Sequence, residues 1–511
     1  MSVYDAILIG AGHNGLVCAA YLAKAGKKVL VIEGNETAGG MAMSAFNQAG
    51  INANSGFLLN SFNRNVVKDL GVSIDSFVKK NSTIYLGATG RHLKKSGSQF
   101  SALSDLKVTE EDRAGIALCM KDINKFARLL YPLMLERPSR FNIEDKQGLF
   151  NLAKFGLKMR LLGAKDMREF LRIALLNIAD FLEDQVDDPQ LAAAAAIDAC
   201  WGTQLAPRSP GTVLSAIYRE TGKVSQGIDT DYRISGGVDK FVAHLKSICD
   251  DLGVSFLFGE KVDQIVTEED HVSGVKTKSG NLFLSKIVAS NADPRTTMLE
   301  LLGVRELDIN FSRRLNNIRD KGTTARMAIK LDRPFEIAGV PASEMQSRFV
   351  YCPSIHYAEL AFNNLKYQEI PEKPPLEIFV AEADPNLITL NVQYVPYALK
   401  QGWTDDAKAK LSKNIFAILD TQMEGFSKAV LQSELHTPHD IALSHNSSGG
   451  HWHHVEMQVD QLLMMRPIHG SAQYETPIKG LFLCGAGAHP GGNLTGLPGR
   501  NAAKSILDLY K

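Results

Sequence analysis

The N-terminal segment carries the pattern that most restricts the fold of this chain. Four apolar residues, 6–9, lead directly into a Gly-x-Gly-x-x-Gly motif at residues 10–15. An apolar stretch with helical spacing follows, ends at Gly26, and is succeeded by a second apolar run at residues 29–32. Short continuous apolar runs are typical of buried parallel strands. The order strand, glycine turn, helix and strand therefore predicts a βαβ unit of Rossmann type, with Glu33 at its end.

The residues of this unit have distinct physical roles. Gly10 permits the tight turn, Gly12 lets the backbone approach a pyrophosphate, and Gly15 lets the helix pack closely on the strand. The helix N-terminus stabilises the pyrophosphate charge. Glu33 is placed to accept hydrogen bonds from an adenosine ribose and would repel a 2′-phosphate. The predicted dinucleotide-binding residues of this unit are Gly10, Gly12, His13, Asn14, Gly15 and Glu33.

FAD and NAD bind to the same fingerprint, and the following residues favour FAD. A second glycine pair, Gly39 and Gly40, precedes Met41 and would let the chain cross the pyrophosphate and turn beneath a flavin. The chain then becomes irregular around residues 52–57, where a simple NAD domain would continue its βαβ rhythm. The sequence holds no second such motif in a βαβ setting, so we expect reduced flavin to be reoxidised by oxygen, a quinone or another carrier.

A second glycine-rich turn lies near the other end of the chain. Residues 480–484 are typical of a buried strand, residues 485–496 form a glycine-rich loop, and Pro498 suits the first turn of a following helix. A helix N-terminus is suited to stabilise the negative charge that develops on a reduced flavin. An ordinary glycine-rich loop is the alternative. The predicted flavin-binding residues are Gly485, Gly487, Gly492, Asn493 and Leu494.

Composition excludes several classes of function. The 511 residues are 45% hydrophobic and 22% charged, which is enough apolar material for a large core and predicts two domains. Because 56 basic and 56 acidic residues give a formal net charge of zero, no overall field attracts nucleic acid. The six cysteines include no Cys-x-x-Cys or Cys-x4-Cys pair, so the chemistry of a flavin disulfide reductase is not expected.

The location of the protein is expected to be cytoplasmic. The first predicted strand begins near Tyr4, which leaves no room for a leader sequence, and no apolar run approaches the roughly 20 residues that a spanning helix needs. Residues 150–180 are amphipathic and rich in lysine and arginine. Such a stretch either forms a solvated helix face of the protein or contacts an anionic membrane surface peripherally.

The two glycine-rich regions resemble the phytoene-dehydrogenase-like branch of the FAD-dependent amine-oxidase and carotenoid-desaturase superfamily, which includes the mitochondrial pyridine nucleotide-disulphide oxidoreductase domain proteins. The resemblance is sharpest over residues 5–16 and 483–492, and it extends in outline through residues 449–451, 460–461 and 466–467. It implies hydride transfer from carbon to flavin.

The chain departs from the family pattern in two places. Gly491-Gly492-Asn493 stands where the carotenoid desaturases usually have a Gly-Ala-Gly-type turn. Met41 stands where an arginine is common after the glycine pair. A polyene carotenoid is therefore only one candidate substrate.

The resemblance also implies an α/β architecture in which a glutathione-reductase-like Rossmann domain is discontinuous and is joined to an α+β substrate domain. The expected FAD domain comprises residues 1–75, 235–300 and 470–511. The expected substrate domain comprises residues 76–234 and 301–469, with a helical part around 110–230. In the resembled family the main chain at the position of Val262 clasps the adenine, and the turn that includes Asn291 approaches the cofactor.

Two histidines are the candidates for a catalytic role. His451 and His454 follow Gly449-Gly450, and either could line a substrate pocket or relay a proton. A structural hydrogen-bonding role is the alternative, and a metal site is not expected because only Glu456 is an obvious further ligand. We expect an FAD-dependent dehydrogenase or desaturase that oxidises an apolar or amphipathic substrate, for example a polyene or lipid. An amine oxidase, a polyene or fatty-acid isomerase, and a regulatory flavoprotein with little turnover remain alternatives.

Overall fold

The computed structural model describes residues 4–43, 46, 51, 61–88, 90–103, 107–140, 145–227 and 231–510. The irregular segment expected at residues 52–57 lies outside the described residues. The strands are β1 (Ala6–Ile9), β2 (Val29–Ile32), β3 (Val78–Asn81), β4 (Thr83–Leu86), β5 (Leu93–Ser96), β6 (Gln99–Ala102), β7 (Asp231–Ile234), β8 (Ser255–Leu257), β9 (Val262–Glu268), β10 (His271–Thr277), β11 (Leu282–Leu284), β12 (Val288–Ser290), β13 (Thr324–Leu331), β14 (Arg348–Tyr351), β15 (Leu376–Val380), β16 (Leu387–Gln393), β17 (Val430–His436) and β18 (Leu481–Leu483). The α-helices are α1 (His13–Lys24), α2 (Arg64–Leu70), α3 (Glu110–Met134), α4 (Lys146–Leu161), α5 (Gly163–Ala174), α6 (Ile178–Glu183), α7 (Pro189–Ile197), α8 (Thr212–Gln226), α9 (Val238–Asp251), α10 (Ile309–Asn316), α11 (Ile355–Lys366), α12 (Asp405–Asp420), α13 (Phe426–Ala429), α14 (Pro438–Ser444) and α15 (Leu497–Leu509).

A five-stranded parallel sheet organises the first part of the molecule, in the order β18-β12-β1-β2-β8. Its strands come from three separate parts of the chain, all of them inside the segments that the sequence predicts for an FAD domain. Successive side chains of β1 point to opposite faces of the sheet. Ala6 and Leu8 therefore pack in the core with helices α1, α9 and α15, whereas Ile7 and Ile9 pack towards the small sheet β9–β11. Both faces are therefore covered, as parallel sheets require. This sheet confirms the predicted α/β fold class.

A mixed eight-stranded sheet organises the second part, in the order β17-β13-β16-β15-β14-β4-β5-β6. Its strand pairs are antiparallel except for β14 and β4. One face builds a separate apolar core with helices α12 and α13. Helices α3 to α8 form a helical layer in which α3 packs along α8. A short pair, β3 and β7, joins the end of that layer to the sheet region.

The helices differ in how their N-termini are capped. Thr109 and Thr404 each accept a hydrogen bond from a first-turn backbone N–H, at the starts of α3 and α12, which satisfies part of the unpaired backbone that every helix start exposes. Helices α1 and α15 instead begin after Gly12 and Gly496, and no described side chain caps them. These two helix starts therefore keep backbone N–H groups for another acceptor.

The basic stretch 150–180 forms helix α5 and parts of α4 and α6. Large apolar side chains on these helices and in the turn after α5 are more than half exposed, namely Phe150, Leu157, Leu161, Leu171 and Leu175. Peripheral membrane contact stays a prediction for this surface. Within the described part of the chain, no helix combines the length and apolar character needed to cross a membrane.

Candidate dinucleotide and substrate site

One large cavity starts where β1, β2 and β12 end. Its volume is about 370 Å³, within the roughly 300–1000 Å³ of a pocket for a small ligand. At one end it is lined by Gly12, Glu33 and Val262, and at the other by residues of α7 and α8. The cavity therefore runs from the dinucleotide turn to the helical layer. Many predicted site residues line it: Gly10, Gly12, His13, Asn14, Glu33, Gly39, Gly40, Met41, Val262, Asn291, Asn493, Leu494 and His454.

Two glycines of the first turn leave space for different purposes. A Cβ on Gly12 would lie 2.5 Å from Nδ2 of Asn291, and a Cβ on Gly15 would lie 2.3 Å from the carbonyl oxygen of Gly10. Gly12 lines the cavity, whereas Gly15 serves the close packing of α1 on the turn. Gly12 also forms a bridge with Gly39, which brings the second glycine pair against the first turn. The two glycine motifs, separated in sequence, thus form one wall.

Glu33 is 8% exposed at the carboxyl end of β2 and lines the cavity. Its Oε2 accepts a hydrogen bond from the backbone N–H of Ala11 at 2.6 Å, and its Oε1 accepts one from Asn35 at 2.9 Å. Burial raises the pKa of Glu33, and these backbone donors oppose the rise. The carboxyl group is thereby fixed beside the glycine turn.

Arg326 on β13 was not singled out from the sequence. Its Nη2 donates to the carbonyl oxygen of Met41 at 2.8 Å and its Nη1 to that of Met43 at 3.3 Å, and the guanidinium lies 5.6 Å from the ring of Trp452. Burial lowers the pKa of Arg326 to about 10, so the group stays charged at neutral pH. A positive charge therefore reaches the segment where Met41 stands in place of the family's arginine, although it comes from a distant strand.

Three histidines stand around the middle of the cavity. Nε2 of His13, Nε2 of His453 and Nδ1 of His454 are buried without a hydrogen-bond partner among the described residues. Burial lowers the pKa of His13 and of His454 to about 4, and the nearby His454 ring lowers the pKa of His13 further. Both imidazoles are therefore neutral at pH 7 and can accept a proton or a hydrogen bond from a ligand.

The two catalytic candidates occupy different environments. His454 lines the cavity, whereas the fully buried His451 does not. Nε2 of His451 lies 3.4 Å from Oε2 of Glu456, and its Nδ1 accepts a hydrogen bond from the N–H of His453 at 3.1 Å. Glu456 also accepts from the N–H groups of Gln204 and Met457. His451 is therefore held in a structural network behind the cavity, and His454 is the candidate that a ligand would meet.

The C-terminal glycine turn contributes Ala486, Asn493 and Leu494 to the cavity. Its three predicted glycines instead pack against protein. A Cβ would lie 2.5 Å from the Asn291 carbonyl oxygen at Gly485, 2.5 Å from Pro294 at Gly487 and 1.8 Å from the His453 ring at Gly492. The glycines let this turn fit closely beside β12 and the histidine segment, and the neighbouring residues face the cavity.

Arg466 connects this turn to the histidine segment. It has no exposed surface, and its three guanidinium nitrogens donate six hydrogen bonds to backbone carbonyl oxygens, at 2.6–3.2 Å. The accepting residues are His453, Val455, Glu456, Gln461 and Ala486. The Arg-Pro pair was noted in the sequence only as part of the resemblance. Its arginine holds the irregular wall of the site together.

The opposite end of the cavity is unexpectedly polar. Four basic and four acidic side chains line it, beside apolar residues of α3, α7 and α8. The charged residues are Lys95, Arg219, Lys223, Arg348, Asp198, Glu220, Asp231 and Glu377. Because they come from β5, β7, β14, β15 and the helical layer, no local pattern in the sequence indicated that they meet. In the described part of the chain, no three His, Cys, Asp or Glu residues are grouped to hold a metal ion.

Comparisons with known proteins agree with this geometry. Residues 8–70 match the family model of an NAD(P)-binding Rossmann-like domain. The mouse pyridine nucleotide-disulfide oxidoreductase domain-containing protein 2 is 26% identical, over 99% of this chain and 93% of its own. The hydroxyneurosporene desaturase of Rhodobacter capsulatus is 25% identical, over 98% of this chain and 97% of its own.

Among solved structures, an engineered triple mutant of putrescine oxidase superposes with a TM-score of 0.61 at 13% identity, covering 99% of this chain and 98% of its own. At this identity the likeness shows the fold alone. The sequence relatives and the Rossmann unit together confirm the resemblance found from the glycine motifs. The chain is therefore an oxidoreductase with a Rossmann-type dinucleotide-binding domain, related over nearly its whole length to the pyridine nucleotide-disulfide oxidoreductase domain-containing proteins.

Proposed function

We propose that the protein binds FAD and oxidises an amphipathic organic substrate by accepting hydride from one of its C–H bonds. The observation that carries the proposal is the single continuous cavity. It joins the dinucleotide turn at Gly12 and Glu33 to the helical layer at Ala195 and Trp201. A dinucleotide bound at the first end would extend its reactive ring towards a molecule bound at the second.

The residues present fit an FAD molecule. The uncapped start of α1 offers backbone N–H groups to a pyrophosphate. Buried polar atoms around the cavity, Nε2 of His13 and Oδ1 of Asn14, have no partner among the described residues. Glu33 would accept hydrogen bonds from the ribose, and Asn493 and Leu494 would lie beside the ring system. Arg326 adds a positive charge that suits an anionic cofactor.

Bound flavin would supply the acceptor for the hydride and its two electrons. The protein's own residues would orient the substrate carbon, exclude water and handle the remaining proton. His454 lines the cavity, its Nδ1 has no partner among the described residues, and burial keeps its imidazole neutral at pH 7, so it can accept a proton that the substrate loses. We further propose oxygen or a quinone as the electron acceptor, since the sequence holds one dinucleotide fingerprint.

The absorbance spectrum of the purified protein tests this proposal. We expect a flavin band, retained after gel filtration or restored by added FAD. Under anaerobic conditions the band should bleach when a substrate of the right class is added, with polyenes, fatty acids and amines tried in turn. A protein that takes up no flavin would refute the proposal. A band that no class bleaches, together with a product of unchanged mass, would replace oxidation by isomerisation.

His454→Gln separates the proton-accepting role from cofactor binding. The variant should keep its flavin band and its folded state but reduce flavin more slowly with the identified substrate, by about 100-fold or more, as loss of a general base does. His451→Gln is the matched variant in the network behind the cavity. Equal reduction rates for His454→Gln and the wild type would remove His454 from the mechanism.

A further inference from the structure

The charged residues at the helical end of the cavity are not equally paired. Asp198 lies 2.9 Å from Arg348 and 3.4 Å from Lys95, and Glu377 pairs with Arg348 through a short contact. On the other side, Asp231 lies 3.0 Å and Glu220 lies 3.8 Å from Lys223. Each of the four carboxylates therefore lies within ion-pair distance of at least one of three cations, Lys95, Lys223 and Arg348. The fourth cation, Arg219, has no carboxylate at that distance among the described residues.

Arg219 lies between the helical layer and the flavin side of the site. Its Nη2 donates to the carbonyl oxygen of Trp201, and within the described residues no carboxylate lies within ion-pair distance of its guanidinium. Asp198 and Glu377 act on it only from a greater distance. A partly buried cation without a close anion carries a desolvation cost that an anionic ligand would offset.

Trp201 provides a second donor at the same place. The side chain is 3% exposed and lines the cavity, and its indole N–H has no acceptor among the described residues. Arg219 and Trp201 are joined through the Trp201 carbonyl, so they form one local group. The helical end of the cavity is also lined by apolar residues, namely Met120, Ile123, Ala195, Ala199 and Ala216.

We propose that Arg219 and the indole of Trp201 bind a carboxylate of the substrate, so that the substrate is an amphipathic carboxylic acid whose apolar part runs along the alanine-lined wall. A planar guanidinium fits a carboxylate, and Arg219 has no close carboxylate of its own among the described residues. An amine is disfavoured, because each carboxylate here already pairs with a lysine or arginine. This inference rests on the proposed function, since it names the substrate class for the same cavity.

The test measures binding of three probes of equal chain length to the flavin-loaded protein by titration calorimetry: decanoate, methyl decanoate and decylamine. We expect decanoate to bind about 10- to 100-fold more tightly than its ester, the range for a charged hydrogen bond. Decylamine should bind no better than the ester. Equal binding of acid and ester, or preferred binding of the amine, would overturn the proposal without any variant.

Variants locate the effect. Arg219→Gln should remove the preference for decanoate over its ester, and Arg219→Lys, which keeps the charge but loses the fork geometry, should retain part of it. Arg172→Gln, on the exposed surface of α5 where Arg172 pairs with Glu169, is the control and should bind as the wild type does. If Arg219→Gln fails to fold, Arg219→Lys and the wild-type comparison still decide. If Arg219→Gln folds and still prefers decanoate over its ester as strongly as the wild type does, the assignment is overturned. A full preference in Arg219→Lys would overturn it as well.

The flavin spectrum separates this inference from the proposed function. A protein without flavin would refute the proposed function whatever the decanoate result. Suppose instead that a neutral substrate reduces the bound flavin, and does so equally fast in the wild type and in Arg219→Gln. That result would leave the oxidoreductase proposal intact and refute only the carboxylate site.

Discussion

Replacing Arg466 by methionine tests how the irregular wall of the site is held. Methionine has similar length but no donors, so Arg466→Met leaves carbonyl oxygens of five residues without their buried donor. At about 1 kcal/mol or more for each unsatisfied carbonyl, the loss is about 5 kcal/mol. Relief of the buried charge offsets part of it, which leaves about 3–5 kcal/mol. That is a large fraction of the roughly 5–15 kcal/mol that stabilises a typical protein.

Urea unfolding, followed by far-ultraviolet circular dichroism and by flavin release, measures this effect. We expect Arg466→Met to lower the unfolding midpoint strongly and to release flavin before the bulk of the structure unfolds. Arg466→Lys keeps the charge and three donors, so its unfolding midpoint should lie between those of Arg466→Met and the wild type. Arg208→Met is the control, because Arg208 is about half exposed and its ion pairs with Asp180 and Glu183 contribute little. A change below about 1 kcal/mol in Arg466→Met would refute this account of the wall.

Three further changes test the cofactor end and its histidines. Gly12→Ala places a Cβ 2.5 Å from Nδ2 of Asn291, so FAD affinity should fall at least about tenfold in a fluorescence titration, and Asn291→Ala in the same chain should restore part of it. Glu33→Ala should weaken FAD by about 1–2 kcal/mol through loss of the ribose acceptor, whereas Glu33→Gln should weaken it less; equal affinities would argue against ribose binding at Glu33. For His13 and His454 the pKa is about 4 in the folded protein and 6.5 in the unfolded chain, so the unfolded state binds more protons below pH 6.5. Their stabilising effect is complete above about pH 6.5 and is lost as the pH falls towards 4, by up to about 3 kcal/mol for each histidine. Between pH 7.5 and 4.5 the urea midpoint should therefore fall less in His454→Gln than in the wild type. A variant of the exposed His271 should show the same fall as the wild type.

The part of the site that the sequence predicts is the part built by neighbouring residues. Strands β1 and β2, helix α1 and Glu33 lie within one continuous segment, so glycine spacing and apolar runs are sufficient to indicate them. The start of α15 after the second glycine turn is predicted for the same reason. These elements depend on local backbone geometry, which the chain encodes locally.

The substrate end could not be predicted in this way. Arg219 comes from α8 and Arg348 from β14 of the eight-stranded sheet, and they line the same cavity only because of the order in which the strands pair. Sheet order depends on long-range packing rather than on any short motif. For one residue at the cofactor end a signal was present, because Arg326 stands among the apolar residues 325 and 327–329 of β13. A charge inside such a strand indicates a partner or a cavity, but it does not say which.

The two glycine turns show why a glycine-rich motif alone does not identify a ligand contact. Gly12 and Gly39 line the cavity, so removing the side chain there leaves space for a cofactor. A Cβ on any of these four glycines would strike protein atoms, but Gly485 and Gly492 do not line the cavity. Their neighbours Ala486 and Asn493 face the cavity instead. The same composition thus serves ligand access in the first turn and close packing in the second, so substitutions in the second turn should impair folding as well as flavin binding.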